Sequence, residues 1–493
     1  MDQDDGTIVA LATPVGTAAI AVLRVSGPLS REFAAGALFG GRVLRPRRAH
    51  HLDYVDLQGV LVDDVVAVAF AAPSSYTGED GLELSCHGNP YIAQRILDDL
   101  CARGCRPALP GEFTQRAFLG GRMDLSQAEA VMDVIQAKSE RSLAVANKQL
   151  KGSLGRRLRP LQDQLLDVAA HVEAYIDFPE EDLPQEDRVR WNDAVQTVLR
   201  GTSDLIATKQ FGAMVREGIR TVIVGAPNAG KSSLLNRLVG FDRALVSPEP
   251  GTTRDFLEEW IRVGPHALRL IDTAGLNPSP ASDLERRGIE RTYERVADAD
   301  LVLWVVDLSD PSPALPPPSV IEQLAVEKTI LVGNKVDLVG DAVGPADRTS
   351  QAMVENAMAR LNALLGRASA TATPRLAGNS AGFSSLRKVV VSADTGLGFE
   401  ALVAEIVTLA DGFQVDVGDE VIAVSSRHAD ALERARACLE TALSQLDRPE
   451  GIQSTELLAS DVRGALEAFG EILGKYDHER MLDRLFATFC IGK

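Results

Sequence analysis

A chain of 493 residues, 45% apolar and 24% charged, has an ordinary globular composition. That is room for about three domains at ~150 residues each, and it excludes the disordered, collagenous and fibrous classes. With 51 basic against 69 acidic residues the net charge is −18, so no global positive field draws the chain to nucleic acid or an anionic membrane; an RNA contact needs a local patch or a partner.

Thr7 to Ala12, Ala19 to Val25, Val65 to Phe70 and Leu82 to His87 are short apolar or alternating runs set off by Gly, Pro and Asp, and predict the strands of an α+β or α/β unit. Between them Arg42, Arg45, Arg47, Arg48, His50 and His51 form a basic stretch, for which a solvated loop is at least as good a reading as a contact with RNA. Cys101 and Cys105 lie four apart in a helical pattern with no second pair at zinc spacing, and read as packing residues. Asp124 and Gln127 have the spacing of a capping box and open a helical stretch free of Pro and Gly as far as Lys151.

Further helices are predicted from Leu161, Leu165, Ala169, Val172 and Ile176, from Val195, Val198 and Leu199, and near the C-terminus from Leu432 to Leu446 and Leu458 to Leu473. From Ile219 to Leu409, apolar runs at Thr221 to Val224, Leu301 to Val306 and Thr329 to Val332 alternate with helical patterns, as in a parallel sheet with crossover helices. The expected architecture is one α/β domain inserted into one helical domain. Pro311 to Pro318, and Val339 to Ser385 with its Ala, Ser, Gly and Thr, are expected to be loops or partly disordered. Five cysteines, Cys86, Cys438 and Cys490 being the others, make no disulfide framework. The start Met1-Asp2-Gln3-Asp4-Asp5 is acidic where a secretory leader is basic, and no apolar run nears the ~20 residues that span a bilayer, so the expected location is cytoplasmic, without membrane insertion.

Gly225 to Ser232 reads G-x-x-x-x-G-K-S, after an apolar strand and before a helical run. Such a loop wraps phosphates with backbone N–H groups, so Asn228, Ala229, Gly230, Lys231, Ser232 and Ser233 are the expected contacts; Lys231 reaches the outer phosphates and Ser232 offers a hydroxyl to Mg²⁺. Asp272, Thr273, Ala274 and Gly275 follow the strand Ala267 to Ile271, where a carboxylate can hold Mg²⁺ through water and a backbone N–H can sense a γ-phosphate. Asn334, Lys335 and Asp337 end another strand; an aspartate there accepts from the ring N–H and exocyclic amine of guanine, and adenine offers neither. Ser392 and Ala393 complete the base pocket. Four motifs in this order predict a GTP-binding domain, and ATP is the poor alternative. Leu276 stands where Ras-like enzymes carry a water-orienting glutamine, so another group must position the water and another cation must meet the transition-state charge.

Gly251-Thr252-Thr253-Arg254-Asp255 and Pro227-Asn228-Ala229 resemble the tRNA-modification GTPases of the MnmE (TrmE) family. The resemblance continues in Leu23 to Pro28, Thr77 to Asp80, Leu82 to Leu84, His87-Gly88, Pro110 to Phe118, Asp124 to Ala130, Asp177-Phe178-Pro179 and Phe489 to Lys493, nearly the whole chain. It implies three parts: an N-terminal domain (residues 1–122) that dimerises and binds a tetrahydrofolate, a discontinuous helical domain (123–215 and 412–493) and an inserted GTPase domain (216–411). It implies a homodimer that joins an FAD-dependent partner, MnmG, in a heterotetramer. Together they build an aminomethyl or carboxymethylaminomethyl group at carbon 5 of the wobble uridine of certain tRNAs, with 5,10-methylenetetrahydrofolate as one-carbon donor. It places folate contacts at Arg24, Glu83, Arg122 and Lys493, with Cys490 nearby, and Mg²⁺ at Ser232 and Thr253. It places K⁺ at Asn228, Ser247, Glu249 and Thr252. Glu285 would orient the attacking water, although Ser282-Asp283-Leu284-Glu285 also has the form of a capping box. The alternative from another class is a regulatory GTPase acting in ribosome assembly or cell division without one-carbon chemistry.

Overall fold

A computed structural model describes residues 6–177, 185–241, 259–271, 296–314, 324–342, 350–371, 385–414, 421–447 and 455–474. Its contacts divide the chain into two compact units, Met1–Met132 with Gln149–Val198 and Arg434–Lys493, and Asp133–Lys148 with Leu199–Glu433.

In the first unit, six described strands, β1 (Ile8–Leu11), β2 (Ile20–Ser26), β3 (Ala49–Val55), β4 (Leu61–Phe70), β5 (Gly81–His87) and β6 (Arg106–Pro107), form a sheet in the order β3-β4-β5-β2-β1-β6. All its pairings are antiparallel except β1 with β6, so of the two architectures left open by the sequence it is the α+β one. Alternation sets its faces: Leu23 and Val25 of β2, Val65 and Ala67 of β4 and Leu82 and Leu84 of β5 turn inward. They pack with Ile96 and Leu100 of the helix Pro90–Ala102. That helix starts where the sequence chemistry demands it, with Pro90 in the first turn and the Asn89 side chain accepting from the Tyr91 N–H at 2.9 Å. Strand β3 is not among the strands read from the sequence; it takes up His50 and His51 from the basic stretch, whose arginines lie before it. Leu52 and Tyr54 alternate inward, and the Tyr54 hydroxyl donates to buried Asp99 at 2.7 Å.

The capping box at Asp124 is present in full: Asp124 N–H donates to Gln127 Oε1 and Gln127 N–H to Asp124 Oδ1, both at 3.0 Å. The helical stretch is not continuous to Lys151, however. It divides into Leu125–Gln136 and Glu140–Leu150, because Ser139 and Ser142 each accept the other's backbone N–H through the side-chain oxygen, at 3.1 and 3.0 Å, and start a new helix. The helix Ser153–Asp177 packs along Thr455–Leu473 with Leu158, Leu165, Val172, Val462, Phe469 and Ile472 buried.

The second unit holds a sheet of order β12-β11-β10-β7-β9-β8 among the described residues, from β7 (Ile219–Val224), β8 (Glu259–Val263), β9 (His266–Leu270), β10 (Leu301–Asp307), β11 (Thr329–Asn334) and β12 (Arg387–Val390). Only the β8–β9 hairpin is antiparallel. Central β10 and β11 are covered on both faces, which is why they read as unbroken apolar runs rather than alternating ones. The helices Lys231–Phe241 and Phe399–Asp411 cover one face, through Leu234, Leu238, Leu402 and Ile406. Ser350–Thr371 covers the other, through Ala357, Leu361, Leu364 and Leu365. This last helix corrects the expectation of a loop over Val339 to Ser385. Ala-rich sequence is strongly helix-forming, and the buried residues fall at steps of three and four.

Candidate functional site: a phosphate loop joined to a base pocket

Strand β7 lies between β10 and β9, and the chain leaves it for neighbours on both sides, so its carboxyl end is a topological switch point where α/β sheets bind ligands. Gly225 to Gly230 leave that end and turn into the helix Lys231–Phe241. A side chain at Gly225 would run into the Val305 carbonyl oxygen, and one at Gly230, where φ is +90°, would meet the Asn334 amide nitrogen. Asn228 takes the left-handed conformation at φ +62° with its side chain exposed, a conformation Asn tolerates better than most residues. Ser232 and Ser233 are exposed at the helix start, where unpaired N–H groups and the helix dipole favour an anion. Lys231 Nζ donates back to the loop carbonyls of Gly225 and Ala226 at 3.0 and 2.8 Å, and burial pushes its ammonium below the ordinary lysine range.

The base motif is bonded to this loop directly. Asn334, buried to 1% exposure at the end of β11, donates from Nδ2 to the Ala229 carbonyl at 3.0 Å, while its Oδ1 accepts from the Ala393 N–H at 3.0 Å. One amide therefore spans the phosphate loop and the Ser392-Ala393 turn. Ser392 is buried, and its hydroxyl accepts from the Thr395 N–H at 3.1 Å to shape that turn. Lys335, at φ +64°, reaches Asp307 at the end of β10 with 2.7 Å between Nζ and Oδ2. Burial works against the Asp307 charge, but Lys335 and Ser309 together hold its carboxyl below the usual range. Asp337 follows, half-buried in a helical turn. Asp307 is a partner of the motif that sequence reasoning missed; its signal is an aspartate ending the apolar run Leu301 to Val306.

The structure thus brings together Asn228, Ala229, Gly230, Lys231, Ser232, Asn334, Lys335, Asp337, Ser392 and Ala393. Ser247, Glu249, Thr252, Thr253, Asp272, Thr273, Ala274, Gly275 and Glu285 lie outside the described residues, as do Cys490 and Lys493.

In the other unit, Arg24 and Glu83 are direct partners across β2 and β5, and Arg24 Nε and Nη2 donate to Glu83 Oε1 at 3.0 and 2.8 Å. The guanidinium carbon lies 5.2 Å from the Tyr76 ring centre and 5.8 Å from that of Phe113. Arg122 is exposed, its stem near Gly78. In the same unit, Glu79 accepts from Ser26 and Arg116, and Arg116 and Arg106 both bond Glu112.

A phosphate loop at the switch point of a doubly wound sheet, tied to an N-K-x-D turn and an S-A turn, defines a P-loop protein of the GTPase class. The chain matches the MnmE helical domain over residues 125–490 and the N-terminus of the GTP-binding protein TrmE over residues 7–122. It is 52% identical over 490 residues to the tRNA modification GTPase MnmE of Opitutus terrae, covering 99% of both chains. It is 38% identical to proteins of the same name from Symbiobacterium thermophilum, over 493 residues, and Aquifex aeolicus, over 487, again covering 99% of each chain. The chain belongs to the MnmE family of tRNA modification GTPases.

Proposed function

We propose that this chain hydrolyses GTP as part of an assembly that modifies carbon 5 of the wobble uridine of certain tRNAs. The observation that carries the reading is the family match at both ends of the chain, over residues 7–122 and 125–490, because the nucleotide motifs alone serve regulatory GTPases equally well. Among the described residues no helix is long and apolar enough to cross a membrane. In this reading the chain is cytoplasmic and a homodimer, works with an FAD-dependent MnmG-type partner, and is divided at residues 1–122, 123–215 with 412–493, and 216–411.

The N-terminal domain would hold methylenetetrahydrofolate, which supplies the one-carbon unit. Arg24, Glu83, Arg122 and Lys493 are the proposed contacts. The pair of Arg24 with Glu83 supports this: a partly exposed carboxylate suits the donor edge of an amino-pyrimidine, and two aromatic rings lie within reach of the same guanidinium. In the GTPase domain Lys231 and the loop N–H groups hold the phosphates, Ser232 and Thr253 would hold Mg²⁺, and Asp337 reads guanine. Glu285 would orient the water.

Potassium would balance charge between the phosphates, held by Asn228, Ser247, Glu249 and Thr252. GTP turnover should then be faster in K⁺ than in Na⁺ at equal ionic strength, and Asn228→Ala should erase the difference. Equal wild-type rates in the two salts would remove potassium from the mechanism. The function as a whole is tested by nucleoside analysis of tRNA from cells lacking the protein. The modified wobble uridine should be lost, and an unchanged nucleoside profile would overturn the proposal in favour of a regulatory GTPase.

A further inference from the structure

Segment 41–50, leading into β3, concentrates Arg42, Arg45, Arg47 and Arg48 in a chain whose net charge is −18. Its main chain is fastened. Leu44 is buried and its N–H donates to Ala34 at 2.8 Å, Arg47 N–H donates to Ala69 at 2.8 Å, and Arg45 N–H donates to His50 Nε2 at 3.0 Å. Arg47 sits in the left-handed region at φ +59°, a conformation that persists in a non-glycine residue only where its surroundings fix it. Its guanidinium donates to the Ser74 carbonyl at 3.1 Å.

The other three arginines of the segment differ from the paired arginines around the same sheet. Arg24, Arg95, Arg103, Arg106 and Arg116 all pair with carboxylates. Arg42, Arg45 and Arg48 are exposed, and among the described residues they meet no carboxylate. Three unneutralised guanidiniums on a fastened main chain carry the charge and the forked donors that suit phosphate oxygens, the contacts that position a nucleic acid.

We propose that Arg42, Arg45 and Arg48 form a docking site for the phosphate backbone of RNA, which positions tRNA on the N-terminal domain without reading its sequence. The proposal rests on the reading of tRNA as substrate. It also meets the requirement set by the acidic composition, since a local patch must supply what the net charge opposes.

The test uses the full-length chain carrying Arg42→Glu, Arg45→Glu and Arg48→Glu, with tRNA binding followed by fluorescence anisotropy over a salt series. Each lost phosphate contact should lower the slope of log affinity against log salt by about one, so the triple variant should lose about three and bind at least ~10-fold more weakly at low salt. GTP turnover should be unchanged. The Arg→Ala triple, checked for native circular dichroism, should show the same trend and guards against misfolding, while Arg157→Glu on the helix Ser153–Asp177 reports the effect of charge alone. Unaltered affinity and slope in both triples, or an equal loss per charge from Arg157→Glu, would overturn the site. Competition by polyglutamate as strong as by tRNA would overturn it in favour of an acidic protein partner. A wild-type chain that binds no tRNA would overturn the tRNA reading, and this site with it.

Discussion

Replacing Lys231 with alanine should reduce GTP turnover by about 10²–10³-fold or more, the loss typical when a preorganised charge-stabilising donor is removed. The expectation follows from placement. The ammonium is half-buried at the start of the helix Lys231–Phe241 and held against the carbonyls of Gly225 and Ala226, so it is fixed at the loop that would receive the phosphates. Burial already disfavours its charge, so that desolvation cost is met on folding, before a phosphate arrives, and the attraction then acts with less screening by water. The apolar face of the helix, Leu234, Leu235 and Leu238, is untouched, and thermal unfolding of the variant should stay close to wild type. Single-turnover hydrolysis with saturating GTP decides the matter; a rate within threefold of wild type would remove Lys231 from the catalytic step.

Asn334→Ala should be the most damaging single change for both stability and nucleotide affinity. It removes the donor of the Ala229 carbonyl and the acceptor of the Ala393 N–H, leaving two main-chain groups unpaired in a closed environment. At about 1–3 kcal/mol for each orphaned group the cost is about 2–6 kcal/mol, a large share of the ~5–15 kcal/mol that holds a domain together. Asn334→Asp refines the test. It keeps an acceptor for Ala393 but sets a carboxylate against the Ala229 carbonyl, so GTP affinity should fall although the side chain keeps its size. Urea midpoints and GTP titrations report the two effects separately. A loss below about 1 kcal/mol with GTP affinity unchanged would show that the amide does not couple loop to pocket.

The nucleotide site was legible because its chemistry is local: a glycine-rich loop needs its neighbours in sequence, and Gly225 to Ser232 supplies them. What joins the parts was not legible. Asn334 reads as a base contact, but its bond to Ala229 crosses 105 positions and exists only once β11 and β7 stand at their places in the sheet. Lys335 with Asp307 is hidden in the same way. Strand β3 escaped because its outward residues, among them His51 and Asp53, give a polar reading that masks the inward pair Leu52 and Tyr54. The helix Ser350–Thr371 escaped for the opposite reason, since a composition of small residues suggests disorder although its apolar positions keep helical spacing. Arg24 and Glu83 could be singled out only by resemblance, and the structure adds that strand pairing makes them neighbours.

The packing of Ser153–Asp177 along Thr455–Leu473 has a consequence for synthesis on the ribosome. The second helix begins roughly 280 residues after the first ends. At ~5–20 residues per second, the first helix waits between about 15 s and about 1 min for that partner to be made, after the whole sheet of the second unit has been translated. Leu158, Leu165 and Val172 must be shielded from other nascent chains during that interval, so the burden of chaperoning falls on the middle of translation, and a message truncated before Thr455 would release a chain with this seam open.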